Sequence, residues 1–326
     1  MVPGYAYYLA ELGFQVALLL TPKRLEEGLF DRYGHENISL YRMSQKEIRA
    51  FFQSSDLSKI AGVMVTTAGK LPVQSDNRLD LETVIPAPPK HVLIVEHDAA
   101  PRLLEGRAHP KTVTLRTLDD ALVKGVQPKM INPHHFGAIK EKSVKNQKTV
   151  FVMVGAARSN RRNQNLVWDA ATELLEGGHS NFEIRLIGKP DRQGIPASLK
   201  GHAIELGRLD YPDMFRELEA CDFILTAFQR DNEDHLFYRT TGTSGSFQLA
   251  YGFRKPMIMQ ERFTVLSALT AENSITYDDD ADMARALKSA IEMSQDNYAT
   301  MQNAMSQAAK ALYAQSLNNL KELLDD

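Results

Sequence analysis

Short β-branched apolar runs alternate along this chain with longer stretches in which apolar residues recur every three or four positions. In the first half the runs predict strands at Phe14–Leu20, Ile38–Met43, Gly62–Thr67 and His91–Glu96, with helices over Tyr5–Leu12 and Gln45–Gln53. Between Lys70 and Lys90 stand Pro72, Pro86, Pro88 and Pro89, which remove backbone donors, so a long surface loop is expected there. The second half alternates more regularly. Strands are expected at Thr149–Val154, Phe182–Ile187, Ala203–Leu206, Phe223–Thr226 and Pro256–Met259. Helices are expected at Asn163–Glu176, Pro212–Ala220, Ser246–Tyr251, Ala281–Met293 and Tyr298–Leu324.

This alternation is the pattern of parallel sheets covered by helices. A chain of 326 residues is sized for about two such domains. The division is expected near Gly137–Asn146, where Lys140-Glu141-Lys142-Ser143 reads as an exposed linker. Residues 1–140 then form one domain, 141–297 a second, and 298–326 a closing helix. That helix carries Met301, Met305, Ala308, Leu312, Leu317, Leu320 and Leu324 on one stripe, which must bury against something. A doubly wound domain opens with a strand, yet here Pro3-Gly4 and a helix come at once. A late-starting chain is expected; a missing first strand is the alternative.

Composition narrows the class. The chain is 43% hydrophobic and 24% charged, an ordinary globular make-up. No apolar run approaches the roughly 20 residues of a membrane span, and Glu11 comes too early for a secretory leader. A single cysteine, Cys221, excludes an internal disulfide, so a cytoplasmic setting is expected. Residues 1–150 carry a net +4 and the rest −7, with basic residues gathered between Lys124 and Lys148. That run reads first as solvated surface, and second as affinity for an acidic substrate or the inner face of a membrane. Nucleic-acid binding is disfavoured by the acidic balance and the lack of any recognition motif.

The chemistry gathers in loops that follow strands. Thr243-Ser244-Gly245-Ser246 leads into a helix that Gly252 is expected to end. Helix N-termini offer free N–H groups and positive potential to phosphates, and Gly245 allows close backbone approach. A plain Ser/Thr N-cap explains the same residues in isolation. Gly155 opens a second loop, carrying Arg158, Arg161 and Arg162, and Lys189 follows a third strand. Three such loops at the carboxyl ends of one sheet favour an anionic ligand.

From Phe151-Val152-Met153-Val154-Gly155 through Arg185-Leu186-Ile187-Gly188-Lys189, Leu206-Gly207-Arg208-Leu209 and Thr243-Ser244-Gly245-Ser246 to Tyr251-Gly252-Phe253-Arg254-Lys255-Pro256, the chain resembles the C-terminal half of GT-B glycosyltransferases. The resemblance covers residues 150–260 well and the first half loosely. It implies an α/β fold of two Rossmann-like, doubly wound domains facing a cleft, with the final helix crossing back to the first domain. It further implies a nucleotide-sugar co-substrate, a UDP- or GDP-sugar, in place of a bound cofactor or metal. Arg158, Arg161 or Arg162 and Lys189 would meet the donor diphosphate, and Gly155 and Thr243 to Ser246 would cradle it. Gly207, Arg208 and Leu209 would lie near the nucleobase, and Tyr238 would join the donor site. The acceptor would be a saccharide, free or linked to lipid or protein, in polysaccharide assembly. One departure stands out. Retaining family-4-like members carry two glutamates seven residues apart before this helix, where Arg239, Thr241 and Phe247 stand here.

In the first half, His97 and Asp98 follow an apolar strand, and a histidine beside a carboxylate suits a general base for an acceptor hydroxyl. A loop cap explains them equally simply. His134-His135-Phe136-Gly137 reads as cleft lining or as a polar hinge. Asp278-Asp279-Asp280 reads as compensation of a helix N-terminus before it reads as a metal motif. Two rivals to sugar transfer remain: a sugar-nucleotide epimerase of the same architecture, and a catalytically silent partner subunit.

Overall fold

The computed structural model describes residues 2–66, 89–97, 103–106, 110–125, 127–155, 162–189 and 194–325. The chain divides into two compact units. The first comprises Met1–Gly137, Thr241–Thr243 and Tyr313–Asp326; the second comprises Ala138–Thr240 and Ser244–Leu312. The proline-rich stretch expected as a surface loop lies almost wholly outside the described residues.

The first unit opens with helix α1 (Val2–Glu11), followed by β1 (Val16–Leu20), α2 (Pro22–Glu26), β2 (Ile38–Arg42) and α3 (Gln45–Ser54). Ser44 and Glu47 exchange the two hydrogen bonds of a capping box at the start of α3. Strands β3 (Gly62–Val65), β4 (His91–Glu96), β5 (Thr112–Thr114) and β6 (Lys129–Met130) form a parallel four-stranded sheet in that order, while β1 and β2 pair separately, also in parallel. The core of this unit joins Tyr5 and Tyr8 of α1 to Leu93, Val95, Val113, Leu115 and Ile131, and to Leu320 and Leu323 of the final helix. Tyr5 and Tyr8 donate to the Ile131 and Asn132 carbonyls at 3.1 and 2.8 Å. Gly4 is required there, because a β-carbon would run into the Pro133 carbonyl.

The second unit is built on β7 (Thr149–Val154), α4 (Gln164–Glu176), β8 (Phe182–Ile187), β9 (Ala203–Gly207), α5 (Tyr211–Ala220), β10 (Phe223–Leu225), α6 (Glu233–Thr240), α7 (Gly245–Phe253), β11 (Met257–Gln260), β12 (Ser274–Tyr277) and α8 (Met283–Glu292). Its six strands run parallel in the order β12-β11-β10-β7-β8-β9. Val150 to Met153 and Phe223 to Leu225 are almost inaccessible, as expected for central strands covered on both faces. Phe151, Trp168, Phe182, Leu287 and Tyr298 share one core cluster. Helix α9 (Gln295–Asp325) closes the chain; its part up to Leu312 belongs to the second unit and its part from Tyr313 to the first. Among the described residues no helix is long and apolar enough to cross a membrane.

Several details differ from expectation. The two-residue β6, the three-residue β5 and helix α6 are too short for periodicity to reveal. Helix α7 does not end at Gly252; it continues to Phe253, and Arg254 takes the left-handed turn at φ 54°. The expected linker is exposed at Lys140, Glu141 and Ser143, but it is also tied down. Lys142 Nζ lies 2.7 Å from the buried Asp222 carboxylate, Glu141 pairs with Arg254, and the Lys140 N–H donates to Glu219 at 3.0 Å.

Candidate functional site

Strand order places the candidate site. From β7 the chain winds outward through β8 and β9, then returns to the other side of β7 as β10. Ligands of open α/β sheets collect outside the carboxyl ends of the strands at such a reversal. Here the ends are Gly155 after β7 and Thr226-Ala227 after β10.

Three glycines make those ends tight. Gly155 has φ 123° and Gly188 φ 143°, conformations that exclude a side chain. A β-carbon on Gly188 would strike the Gly155 carbonyl, and one on Gly155 would strike the Arg162 guanidinium. The Gly155 N–H donates to Ile187 at 2.8 Å and the Gly188 N–H to Gly207 at 2.8 Å, so the three strand ends are stitched together. Gly207 has φ 67° and follows an irregularity in the β8–β9 register.

Arg162 lies over this floor with 9% of its surface exposed. Its Nη2 donates to Ser246 Oγ at 3.1 Å and to Ser244 Oγ at 3.4 Å. Ser244 is the N-cap of α7, and its hydroxyl also accepts from the Ser246 N–H at 3.3 Å. A guanidinium and the positive end of a helix therefore share one place, and both attract an anion. Gly245 is exposed with open space around it, so no protein packing demands a glycine there. Lys189 and Arg208 are exposed and Leu209 half-buried, after β8 and β9 respectively.

Other expected residues fall elsewhere. Arg158, Arg161 and Asp98 lie outside the described residues. Thr243 groups with the first unit, where Arg116 Nη1 lies 3.4 Å from the adjoining Gly242 carbonyl. The ring of Tyr238 is buried, stacked on Phe228 at 4.6 Å, within a cluster that also holds Phe247, Phe263 and His235.

In the first unit His97 follows β4, and its Nε2 donates to the Thr66 carbonyl at 2.7 Å. His134 is buried, with Nδ1 3.1 Å from the Asn132 carbonyl. The His135 ring stacks on Tyr7 at 3.6 Å, and Tyr33 donates to the His135 carbonyl at 2.9 Å, so this stretch is packing against α1. Burial, reinforced by His134, pushes the His135 pKa down to about 4. In the second unit Arg230 pairs with Asp278, its N–H donates to Asp280, and Asp279 caps the following turn. Among the described residues no group of three or more His, Cys, Asp or Glu side chains is placed to hold a metal. Gln164 and Phe228 carry no motif and escape a reading of the sequence.

No protein-family model matches the chain, and no curated protein matches it in sequence. Solved structures do match. AviGT4, a glycosyltransferase involved in avilamycin A biosynthesis, superposes with a TM-score of 0.59 over 99% of this chain and 88% of its own, at 11% identity. The fold is GT-B. A TarM variant from S. aureus, solved with fondaparinux, alpha-GlcNAc-glycerol and UDP, gives a TM-score of 0.53 at 11% identity, covering 76% of this chain and 53% of that one. At such identity the GT-B likeness carries the architecture of strands and helices, and function must be argued from the site.

Proposed function

We propose that this protein is a glycosyltransferase that moves a sugar from a nucleotide-diphosphate donor to a hydroxyl acceptor. The observation that carries the reading is the Arg162 guanidinium clamped between Gly155 and the Ser244/Ser246 start of α7 at the sheet reversal. Breaking a glycosyl–phosphate bond leaves negative charge on the departing diphosphate. Arg162 and the α7 N-terminus meet that charge without having to reorganise, which is the most effective form of electrostatic stabilisation. Lys189, Arg158 and Arg161 add further positive charge, and Thr243 to Ser246 supply donors to the phosphate oxygens. Gly207, Arg208 and Leu209 border the nucleobase.

The acceptor is a saccharide, free or carried on lipid or protein, and its hydroxyl needs a base. His97 suits this role. Its Nε2 donates to the Thr66 carbonyl, which orients the ring after β4, and an imidazole is the side chain best suited to take a hydroxyl proton near neutral pH. Asp98 follows it in sequence and would favour the imidazolium that forms. The reaction needs no metal in this scheme, because side-chain cations carry the neutralising charge. Arg239, Thr241 and Phe247 occupy the region where a glutamate pair would mark retention, so product analysis is the way to the anomeric outcome. We place the protein in the cytoplasm, with the inner face of the membrane as the setting for lipid-linked acceptors.

A thermal-shift panel of UDP- and GDP-sugars tests the reading, since a ligand that binds only the folded state raises Tm. A shift with one sugar nucleotide, followed by sugar transfer to an acceptor, is expected. Donor conversion without an acceptor would favour the epimerase, and no shift with any of them the silent subunit.

A further inference from the structure

The first helical residue of α4, Gln164, is 5% exposed, and its amide oxygen is buried with no hydrogen-bond donor among the described residues. A buried carbonyl oxygen left without a donor is costly, and native proteins keep few such groups. Its position sets it apart from the other orphaned acceptors. Thr149 begins β7 at the opposite end of the strand, Glu205 lies within β9, Tyr277 ends the outermost strand β12, Asn132 belongs to the first unit, and Gln248, within α7, has a further contact of its own. Gln164 instead follows Arg162 by two residues. Its neighbour Asn163 donates its N–H to the Ala227 carbonyl at 2.9 Å, which fixes this turn beside the end of β10. The start of α4 therefore stands at the reversal between β7 and β10, next to the clamp on Gly155.

The missing partner must be a donor. A diphosphate has only acceptor oxygens at neutral pH and cannot fill that role. A hydroxyl adjoining the diphosphate can. We propose that the Gln164 amide oxygen accepts a hydrogen bond from a hydroxyl of the bound nucleotide sugar, an inference that rests on the donor-site reading above. The hydroxyl belongs either to the transferred sugar or to the ribose, the two groups that flank a diphosphate.

Two substitutions test it, Gln164→Leu and Gln164→Met, which fill similar volume without an amide oxygen. Isothermal titration would use whichever sugar nucleotide the unmodified chain binds, the matching nucleoside diphosphate, and its 2′-deoxy form. The expected result combines two signs: Tm unchanged or raised, because an unsatisfied buried group is gone, and Kd for the sugar nucleotide weakened about tenfold. Weakening confined to the sugar nucleotide assigns the hydroxyl to the sugar. Equal weakening for the diphosphate, lost in the deoxy form, assigns it to the ribose. Folded variants with unchanged affinity for all three ligands overturn the proposal and leave the donor site standing. Failure of the unmodified chain to bind any sugar nucleotide overturns both. If leucine prevents folding, the methionine variant decides.

Discussion

The guanidinium of Arg162 fills the space that a β-carbon on Gly155 would need. The glycine at the end of β7 and the arginine before α4 are thus one device: the first is small so that the second can lie across the strand end and reach Ser246. Gly155→Ala is expected to break it. The φ of 123° is strained for alanine, at about 1–3 kcal/mol, and the methyl group evicts the guanidinium. Tm should fall and nucleotide-diphosphate affinity with it. A variant with wild-type affinity would show that the clamp is dispensable.

Arg162→Ala should weaken nucleotide-diphosphate binding about tenfold or more, since a charge-assisted hydrogen bond is worth roughly 1.5–3 kcal/mol. Lys189→Ala should act in the same direction but less, because the exposed lysine is screened by solvent. Titration calorimetry at two salt concentrations separates them: the lysine effect shrinks with salt and the arginine effect persists. Unchanged curves for both variants would remove this site from consideration.

Transfer activity should persist in EDTA, because the charge on the leaving diphosphate is met by side chains and a helix terminus. Complete loss, restored by magnesium or manganese, would contradict the scheme.

Asp222 is fully buried and accepts from Lys142 Nζ at 2.7 Å, from the Asn146 N–H and side-chain amide at 3.0 and 2.9 Å, and from the Val150 N–H at 2.8 Å. It fastens residues 142–146 to the start of β7. Removing one partner of a buried pair costs about 3–5 kcal/mol, so Asp222→Ala should lower Tm sharply. Asp222→Asn keeps some of the accepting oxygen and should lower it less. A loss below about 1 kcal/mol for alanine in denaturant titrations would show that the segment holds by other contacts.

His135 yields a pH dependence. Its native pKa of about 4 lies below the ordinary 6.5, so between those values the unfolded chain binds more protons than the folded one. The stabilisation is fully present above pH 6.5 and is lost as the pH falls toward 4. His135→Phe keeps a ring against Tyr7 and removes the titration. Its Tm should decline less over that window than that of the unmodified chain; parallel declines would place the acid sensitivity elsewhere.

The sequence by itself determined the alternation of strands and helices, because the local period of apolar residues states which faces are buried. It placed β7, β8 and α4 within a residue, and it marked the small-residue loops at Gly155 and Ser244 as phosphate-like. Tertiary structure alone decided which of those residues meet. Arg162 and Ser246 are 84 positions apart and become neighbours only because β10 returns beside β7. Tyr238 looked available for a ligand until the ring of Phe228 covered it. Lys142 looked like exposed linker until Asp222 arrived beneath it. The orphaned oxygen of Gln164 had no signal at all. Periodicity records how a residue relates to neighbours one turn away, whereas a site at a sheet reversal is assembled from strand order, and strand order is set by packing over the whole core.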